Sequence, residues 1–202
     1  MISESEKEMF QAVDQFDGQI LLWIQNTLRN PVLDRLFMFY TRLGDHGVLF
    51  ITMAVLLLIV PVTRRTGFAS ALGLAIGSLV SLVFLKPFFM RPRPYLTVPG
   101  LTALIDMSRD PNSFPSGHAT AAFSVFMAIF LTVDDIRVKV ASVFFAVLMG
   151  FSRLYVGVHN PSDVIAGALI GTMAACLGVK LVRFLNNKLS ELRAKKSGKA
   201  KK

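Results

Sequence analysis

The sequence contains one cysteine, one tryptophan and three histidines, with 13 acidic residues against 22 basic ones. The lone Cys176 excludes an intramolecular disulfide and a cysteine metal site. Residues 1–15 are polar and acidic, so we expect no cleavable signal peptide. No internal repeat is present. Chemistry that depends on histidines and carboxylates is therefore confined to a few positions.

Apolar residues are abundant and make up 53% of the 202 positions. Crossing the hydrocarbon core of a membrane takes about 20 mainly apolar residues, with about 17 as the lower limit. One such stretch is also compatible with a buried helix of a soluble protein, but several in series are not. The sequence therefore predicts an all-α integral membrane helical bundle. Its five predicted spans are 47–63, 66–85, 117–133, 138–158 and 163–185.

Residues 4–42 have apolar side chains at helical spacing, but polar and charged residues interrupt the pattern. This predicts amphipathic helices that lie in the membrane interface, with Trp23 as an anchor. The alternative is a sixth, weakly apolar span, which its charged side chains make costly. We thus divide the chain into an N-terminal interfacial region (1–46), a membrane-embedded domain (47–185) and a basic tail (186–202).

The net charge of +9 is unevenly distributed, because bases dominate the chain from Lys180 onward. Basic flanks of membrane spans stay in the cytoplasm, so we expect a cytoplasmic C-terminus. The tail lacks interleaved aromatic residues and follows a membrane helix, so we expect it to contact anionic membrane lipid rather than nucleic acid.

Three short clusters, 86–94, 115–118 and 152–163, lie at the edges of predicted spans on the outer side. In the third, Asn160 and Pro161 are typical of a helix start, which places Asp163 in the first turn. Asp163 can then accept a hydrogen bond from one ring nitrogen of His159 and leave the other free. That arrangement is typical of a nucleophilic histidine. The alternative is a capping aspartate beside an incidental histidine.

The second cluster opens a helix with Ser116, Gly117 and His118. A helix N-terminus binds anions through its free backbone N–H groups, Gly117 allows close backbone approach, and His118 could protonate a leaving group. An ordinary serine cap is the alternative interpretation.

The first cluster places Lys86, Arg91 and Arg93 around two prolines, and Arg153 lies within an apolar span. Snorkelling of basic residues at a helix end explains Lys86 but not all of these cations. Lysine supplies a point charge and arginine grips phosphate oxygens bidentately. A charged residue within the membrane is costly and usually functional. Cations, two histidines, a serine and a carboxylate together predict phosphoryl transfer without a metal.

These motifs resemble those of the type 2 phosphatidic acid phosphatase superfamily, membrane relatives of bacterial acid phosphatases and vanadium haloperoxidases. The family pattern is Lys, six residues, Arg-Pro; then Pro-Ser-Gly-His; then Ser-Arg, five residues, His, three residues, Asp. The sequence matches every position over roughly residues 45–185. The matching residues are Lys86, Arg93, Pro94, Pro115, Ser116, Gly117, His118, Ser152, Arg153, His159 and Asp163.

The resemblance implies a role for each matching residue. His159 would form a phosphohistidine intermediate, Asp163 would orient it, and His118 would protonate the leaving group. The phosphoryl oxygens would be held by Lys86, Arg93, Ser116, Gly117 and Arg153. No metal or cofactor is implied. The family core is a helical bundle with its site near the outer membrane surface.

We therefore expect a multi-pass protein of a bacterial cell membrane that hydrolyses a lipid phosphate or pyrophosphate. The expected substrates are undecaprenyl pyrophosphate, phosphatidylglycerophosphate and phosphatidic acid. Two alternatives remain open: a lipid phosphotransferase, and a non-enzymatic carrier of anionic lipid. His46 is expected to be structural rather than catalytic. We expect Asp106, Arg109 and Asp110 to be solvated loop charges, the alternative being that they gate the site or bind a lipid head group.

Overall fold

The computed structural model describes residues 4–199, which form helices and connecting loops without a strand. The predicted all-α class is confirmed. The α-helices in chain order are α1 (Glu4–Leu28), α2 (Pro31–Leu43), α3 (Val48–Ile59), α4 (Arg64–Ser78), α5 (Lys86–Phe89), α6 (Pro94–Thr97), α7 (Gly117–Thr132), α8 (Ile136–Tyr155) and α9 (Pro161–Lys199). A π-helical segment, Leu79–Leu85, joins α4 to α5.

Three helical stretches are long and apolar enough to cross a membrane: Arg64–Phe89, Ile136–Tyr155 and Pro161–Lys195. They correspond to three of the five predicted spans. The predicted span 117–133 is helix α7, which is apolar but only 16 residues long. Helices long enough to span are thus fewer than apolar runs in the sequence.

The predicted span 47–63 differs from the structure because its helix, α3, is only 12 residues long. A 3-10 turn, Asp45–Gly47, separates it from α2, and the two helices are bent by 46°. His46 and Gly47 both have left-handed backbone angles, with φ of 54° and 71°. Glycine adopts this conformation freely, whereas histidine does so at a cost. Together α2 and α3 are long and apolar enough to cross a membrane only as a bent pair, the geometry of a broken span or of a re-entrant loop.

Helices α4, α7 and α9 pack closely against one another through small residues. A Cβ atom on Gly171 of α9 would lie 2.4 Å from the Thr120 carbonyl oxygen of α7, and one on Gly77 of α4 would lie 2.7 Å from the Ser124 hydroxyl of α7. Helices can approach this closely only where a side chain is missing. The small-residue stripes of the sequence are therefore packing surfaces, and they hold together the helices that carry the site.

The N-terminal region consists of α1 and α2, which cover one end of the bundle. Asn30 caps α2 by accepting hydrogen bonds from the backbone of Val32 and Leu33, both 3.1 Å long. Leu21 and Ile24 of α1 are buried, and Phe37 of α2 stacks on Tyr155 of α8 at 4.3 Å between ring centroids. Interfacial placement of these helices stays a prediction, but their inner faces belong to the protein core.

Candidate active site

The three sequence clusters converge at one end of the bundle. Six of the eight predicted site residues line a single cavity of about 660 Å³. These six are Lys86, Arg93, Gly117, His118, Arg153 and His159. Ser116 and Asp163 lie directly behind the cavity wall, linked by a 3.0 Å hydrogen bond from the Ser116 amide to the Asp163 carbonyl. The helix ends bring together residues that are far apart in sequence.

His159 lies in the short loop between α8 and α9, with only 2% of its surface exposed. Arg93 Nη1 lies 3.0 Å from its Nε2. A guanidinium can only donate hydrogen bonds, so Nε2 accepts and the ring proton resides on Nδ1. Burial, with the cations Arg93 and Arg153 next in importance, lowers the pKa of His159 well below its usual range. The ring is therefore neutral at neutral pH, with the Nε2 lone pair directed toward the cations.

Asp163, in the first turn of α9, approaches the other side of this ring. Its Oδ2 lies 3.6 Å from His159 Nδ1, which leaves Nδ1 without a hydrogen-bond partner among the described residues. The same oxygen accepts a 2.8 Å bond from the Asn160 amide. Catalytic hydrogen bonds are often long before substrate binds. The expected orienting pair is thus adjacent, at a distance that a small shift converts into a hydrogen bond.

Arg153 lies in the last turn of α8 and is fully buried. Its Nη1 donates a 2.6 Å hydrogen bond to the Thr41 hydroxyl, and its Nη2 lies 3.8 Å from the Met107 sulfur. No carboxylate pairs with it within the described part of the chain. A buried charge without an ionic partner is costly. An anion bound in the cavity that Arg153 lines would supply the missing partner.

Lys86 and Arg93 face the same cavity and share an acidic partner that sequence reasoning missed. Asp110 pairs with the Lys86 ammonium, and its Oδ2 lies 3.0 Å from Arg93 Nη2. Arg93 also donates a 2.9 Å bond from Nε to the Asp110 carbonyl. The expectation that Asp110 is a solvated loop charge is therefore wrong, because its carboxylate pairs with both cations and lines the cavity. Its carboxylate holds the two cations at the cavity edge.

Ser116 and His118 begin α7. Ser116 is buried and caps the helix, with its hydroxyl 3.4 Å from the Ala119 amide. His118 Nε2 lies 3.1 Å from Oδ1 of Asp45, in the turn between α2 and α3. A carboxylate only accepts hydrogen bonds, so this nitrogen carries a proton. Asp45 is a second residue that sequence reasoning missed, because only the fold brings it to α7.

The rest of the cavity is apolar and runs between α3 and α4. Small and aliphatic side chains line it, which separates a charged end from a hydrocarbon-like end. Cavities of about 300–1,000 Å³ are typical of small-molecule sites. The apolar lining residues include Ile51, Ala54, Val55 and Leu58 of α3 and Ala71, Leu74 and Ala75 of α4. The arrangement suits an amphipathic ligand with an anionic head.

Known proteins with similar sequences act on lipid phosphates, in agreement with a site for an amphipathic anion. Residues 66–187, more than half of the chain, match the PAP2 superfamily. An undecaprenyl-diphosphatase of Sulfolobus acidocaldarius is 33% identical over 149 residues, covering 74% of this chain and 70% of the relative. The undecaprenyl-diphosphatase BcrC of Bacillus subtilis is 32% identical over 159 residues, covering 77% and 76%.

A solved structure shares the fold as well. The crystal structure of Aquifex aeolicus LpxE superposes with a TM-score of 0.71 at 28% identity, covering 80% of this chain and 93% of LpxE. A transmembrane PAP2 type phosphatidylglycerolphosphate phosphatase from Bacillus subtilis also superposes, with a TM-score of 0.65 at 26% identity, covering 89% of this chain and 87% of that structure, which agrees with the apolar helices of the bundle. The chain therefore belongs to the PAP2 superfamily and is a multi-pass membrane lipid phosphatase.

Proposed function

We propose that this protein removes a phosphate from undecaprenyl diphosphate through a phosphohistidine formed at His159. The observation that carries the proposal is the cavity itself, which joins the buried cation Arg153 and the Nε2 face of His159 to an apolar groove between α3 and α4. Undecaprenyl diphosphate combines a diphosphate head with a long hydrocarbon tail, and two relatives bear the name of this activity.

In the first step, the neutral His159 attacks the terminal phosphorus with its Nε2 lone pair. A new N–P bond forms while the P–O bond to the leaving group breaks. Lys86, Arg93 and Arg153 neutralise the charge spread over the equatorial oxygens, together with the N-terminus of α7 at Ser116 and Gly117. His118 gives its proton to the departing oxygen.

In the second step, water attacks the phosphohistidine. His118, now neutral, accepts the proton of the water, the N–P bond breaks and inorganic phosphate leaves. Asp163 holds the Nδ1 side of His159 through both steps. The reaction needs no metal in this scheme, because protein cations already supply the charge neutralisation that a divalent ion provides in other phosphoryl transfers.

The sequence supports an orientation in which the site faces the outside of a bacterial cell membrane and the C-terminus lies in the cytoplasm. The basic residues that follow Lys180 favour the cytoplasmic side. An enzyme in this orientation would recycle envelope lipids released outside the cell.

The decisive experiment measures phosphate release by purified protein in detergent with EDTA present. The panel contains undecaprenyl diphosphate, phosphatidylglycerophosphate and phosphatidic acid. We expect the fastest turnover with undecaprenyl diphosphate and none detectable with His159→Ala. A control variant, Arg109→Gln, changes an exposed loop cation and should retain full activity. Labelling with radioactive terminal phosphate should trap an acid-labile, base-stable phosphoprotein that His159→Ala does not form.

Other outcomes of these assays would contradict the proposed mechanism, substrate or reaction type. Loss of activity in EDTA would contradict the metal-independent mechanism, and a preference for either glycerolipid would replace the substrate. Transfer of label to an added acceptor lipid, rather than to water, would identify a phosphotransferase. Full activity of His159→Ala would remove the phosphohistidine from the mechanism.

A further inference from the structure

Arg91 belongs to the first cluster but lies outside the cavity, on the far side of Asp163. The two terminal nitrogens of its guanidinium contact different carboxylates. Nη1 donates a 2.6 Å hydrogen bond to Asp163 Oδ1, and Nη2 donates a 3.0 Å bond to Asp17 Oδ2 on α1. The orienting carboxylate of the site is thus tied through Arg91 to the N-terminal helix.

Asp17 is unusual for a helix with the amphipathic pattern of an interfacial segment, because it is only 2% exposed. Besides Arg91, it accepts a 3.2 Å hydrogen bond from the Ser162 amide and another from the Ser162 hydroxyl. Burying an ionised carboxylate is costly unless it is paired and hydrogen-bonded. These contacts place Asp17 against the first turn of α9, at Ser162, which directly precedes Asp163.

Arg91 pairs with both Asp163 and Asp17, and the negative charges of these two buried carboxylates explain why both contacts are needed. Asp163 is fully buried and Asp17 nearly so, while Asp14 also pairs with Arg91 at the protein surface. Without the guanidinium, two buried carboxylates would face each other across the start of α9. Arginine suits this position because its planar fork can bind two carboxylates in fixed directions, which a lysine cannot.

We propose that Arg91 and Asp17 are positioning residues that fix the Asp163 carboxylate beside His159. The N-terminal helix α1 thereby becomes part of the catalytic machinery rather than only a membrane anchor. This inference rests on the proposed role of Asp163. Asp163 uses one oxygen for Arg91 and keeps the other beside His159 Nδ1, 3.6 Å away. Releasing the first oxygen frees the carboxylate to rotate away from the ring.

The test is a kinetic double-mutant cycle on the purified full chain, using undecaprenyl diphosphate. Asp17→Asn keeps an acceptor for Ser162 but removes the charge that holds Arg91. We expect kcat to fall about 10²-fold, the loss that a misplacement of about 1 Å can cause, while KM stays unchanged. Arg91→Lys should retain part of the activity, because a lysine can pair with Asp163 alone.

The cycle separates positioning from a general loss of structure. In an Asp163→Asn background, Asp17→Asn should cause little further loss, because residues that act as a unit are strongly non-additive. A variant that only unfolds the protein would lower kcat equally in both backgrounds. Glu8→Gln removes an exposed charge from the same helix and should match the wild type.

Each outcome has a distinct meaning. A wild-type kcat for Asp17→Asn, or equal losses in both backgrounds, would overturn the inference while leaving the phosphatase reaction intact. Wild-type kinetics for Asp163→Asn would instead remove the proposed role of Asp163, and an inactive wild type would remove the proposed substrate.

Discussion

His118 and Asp45 meet across the turn between α2 and α3, with 3.1 Å between Nε2 and Oδ1. The carboxylate stabilises the protonated imidazole, which is the form that gives a proton to a leaving group. Bonds that involve a charged partner are about twice as strong as neutral ones. Asp45 is therefore the residue on which the acid function of His118 most directly depends.

Asp45→Asn tests this dependence. The amide can still accept a hydrogen bond but lacks the charge, a difference of about 1 kcal/mol, so we expect phosphate release from a lipid phosphate monoester to fall roughly 5-fold. Hydrolysis of p-nitrophenyl phosphate should change little, because its leaving group departs without protonation. Rate constants for both substrates under saturating conditions give the answer.

Asp106→Asn is the matched control, since Asp106 is an exposed loop aspartate whose side chain contacts Ser108. It should leave both rates unchanged. Equal losses on the two substrates with Asp45→Asn would show that Asp45 supports the fold of the site rather than proton transfer.

The sequence predicted the eight site residues by type and spacing, and six of them line one cavity. Short-range patterns sufficed there, because each motif lies at one helix end and the chemistry restricts the residue types. Asp45, Asp110 and the Asp17–Arg91 pair could not be found in this way. Their partners are 17 to 74 residues away in sequence, so the pairing exists only once the helices have packed.

The helices, like the site residues, could be predicted only where the local sequence determines them. Long apolar runs predicted α8 and α9 well, because a membrane span requires a continuous helix with internally satisfied backbone. The run 47–63 predicted a complete span, yet the structure has a short α3 after a bend at His46 and Gly47. Hydropathy carries no information about such a bend, which brings Asp45 to His118.

The gap between α3 and α4 gives the cavity its apolar end, and Ala75 is an exposed residue of α4 that lines it. Ala75→Phe places a ring where the proposed lipid tail lies. Overpacking typically costs about 1–3 kcal/mol, so we expect kcat/KM for undecaprenyl diphosphate to fall about 5- to 150-fold. A short-chain diphosphate that uses only the charged end should be hydrolysed normally.

Ala141→Phe provides a matched control. Ala141 is an exposed alanine of the apolar helix α8 and lies outside this cavity. The same substitution there should leave both substrates unaffected. If Ala75→Phe reduces turnover of the short and long substrates alike, the tail does not lie between α3 and α4.

The two ends of the bundle differ, because one end carries the candidate active site and the other carries the basic residues of α9. The charged end of the cavity lies at the ends of α8 and α9 that meet at His159, whereas α9 continues from there to the basic residues beyond Lys180. The active site and the basic C-terminal part of α9 therefore lie at opposite ends of the long apolar helix. The proposed cytoplasmic position of the basic end would therefore place the site on the outer side of the membrane.

Single cysteines test this orientation in intact cells. The background is Cys176→Ser, which removes the lone native thiol. Arg109→Cys lies in an exposed loop beside the site, and Lys188→Cys lies on the exposed surface of α9. A membrane-impermeant maleimide should label Arg109→Cys directly but label Lys188→Cys only after permeabilisation, provided that both variants release phosphate. The reverse pattern would place the active site in the cytoplasm and exclude the recycling of lipids on the outer face.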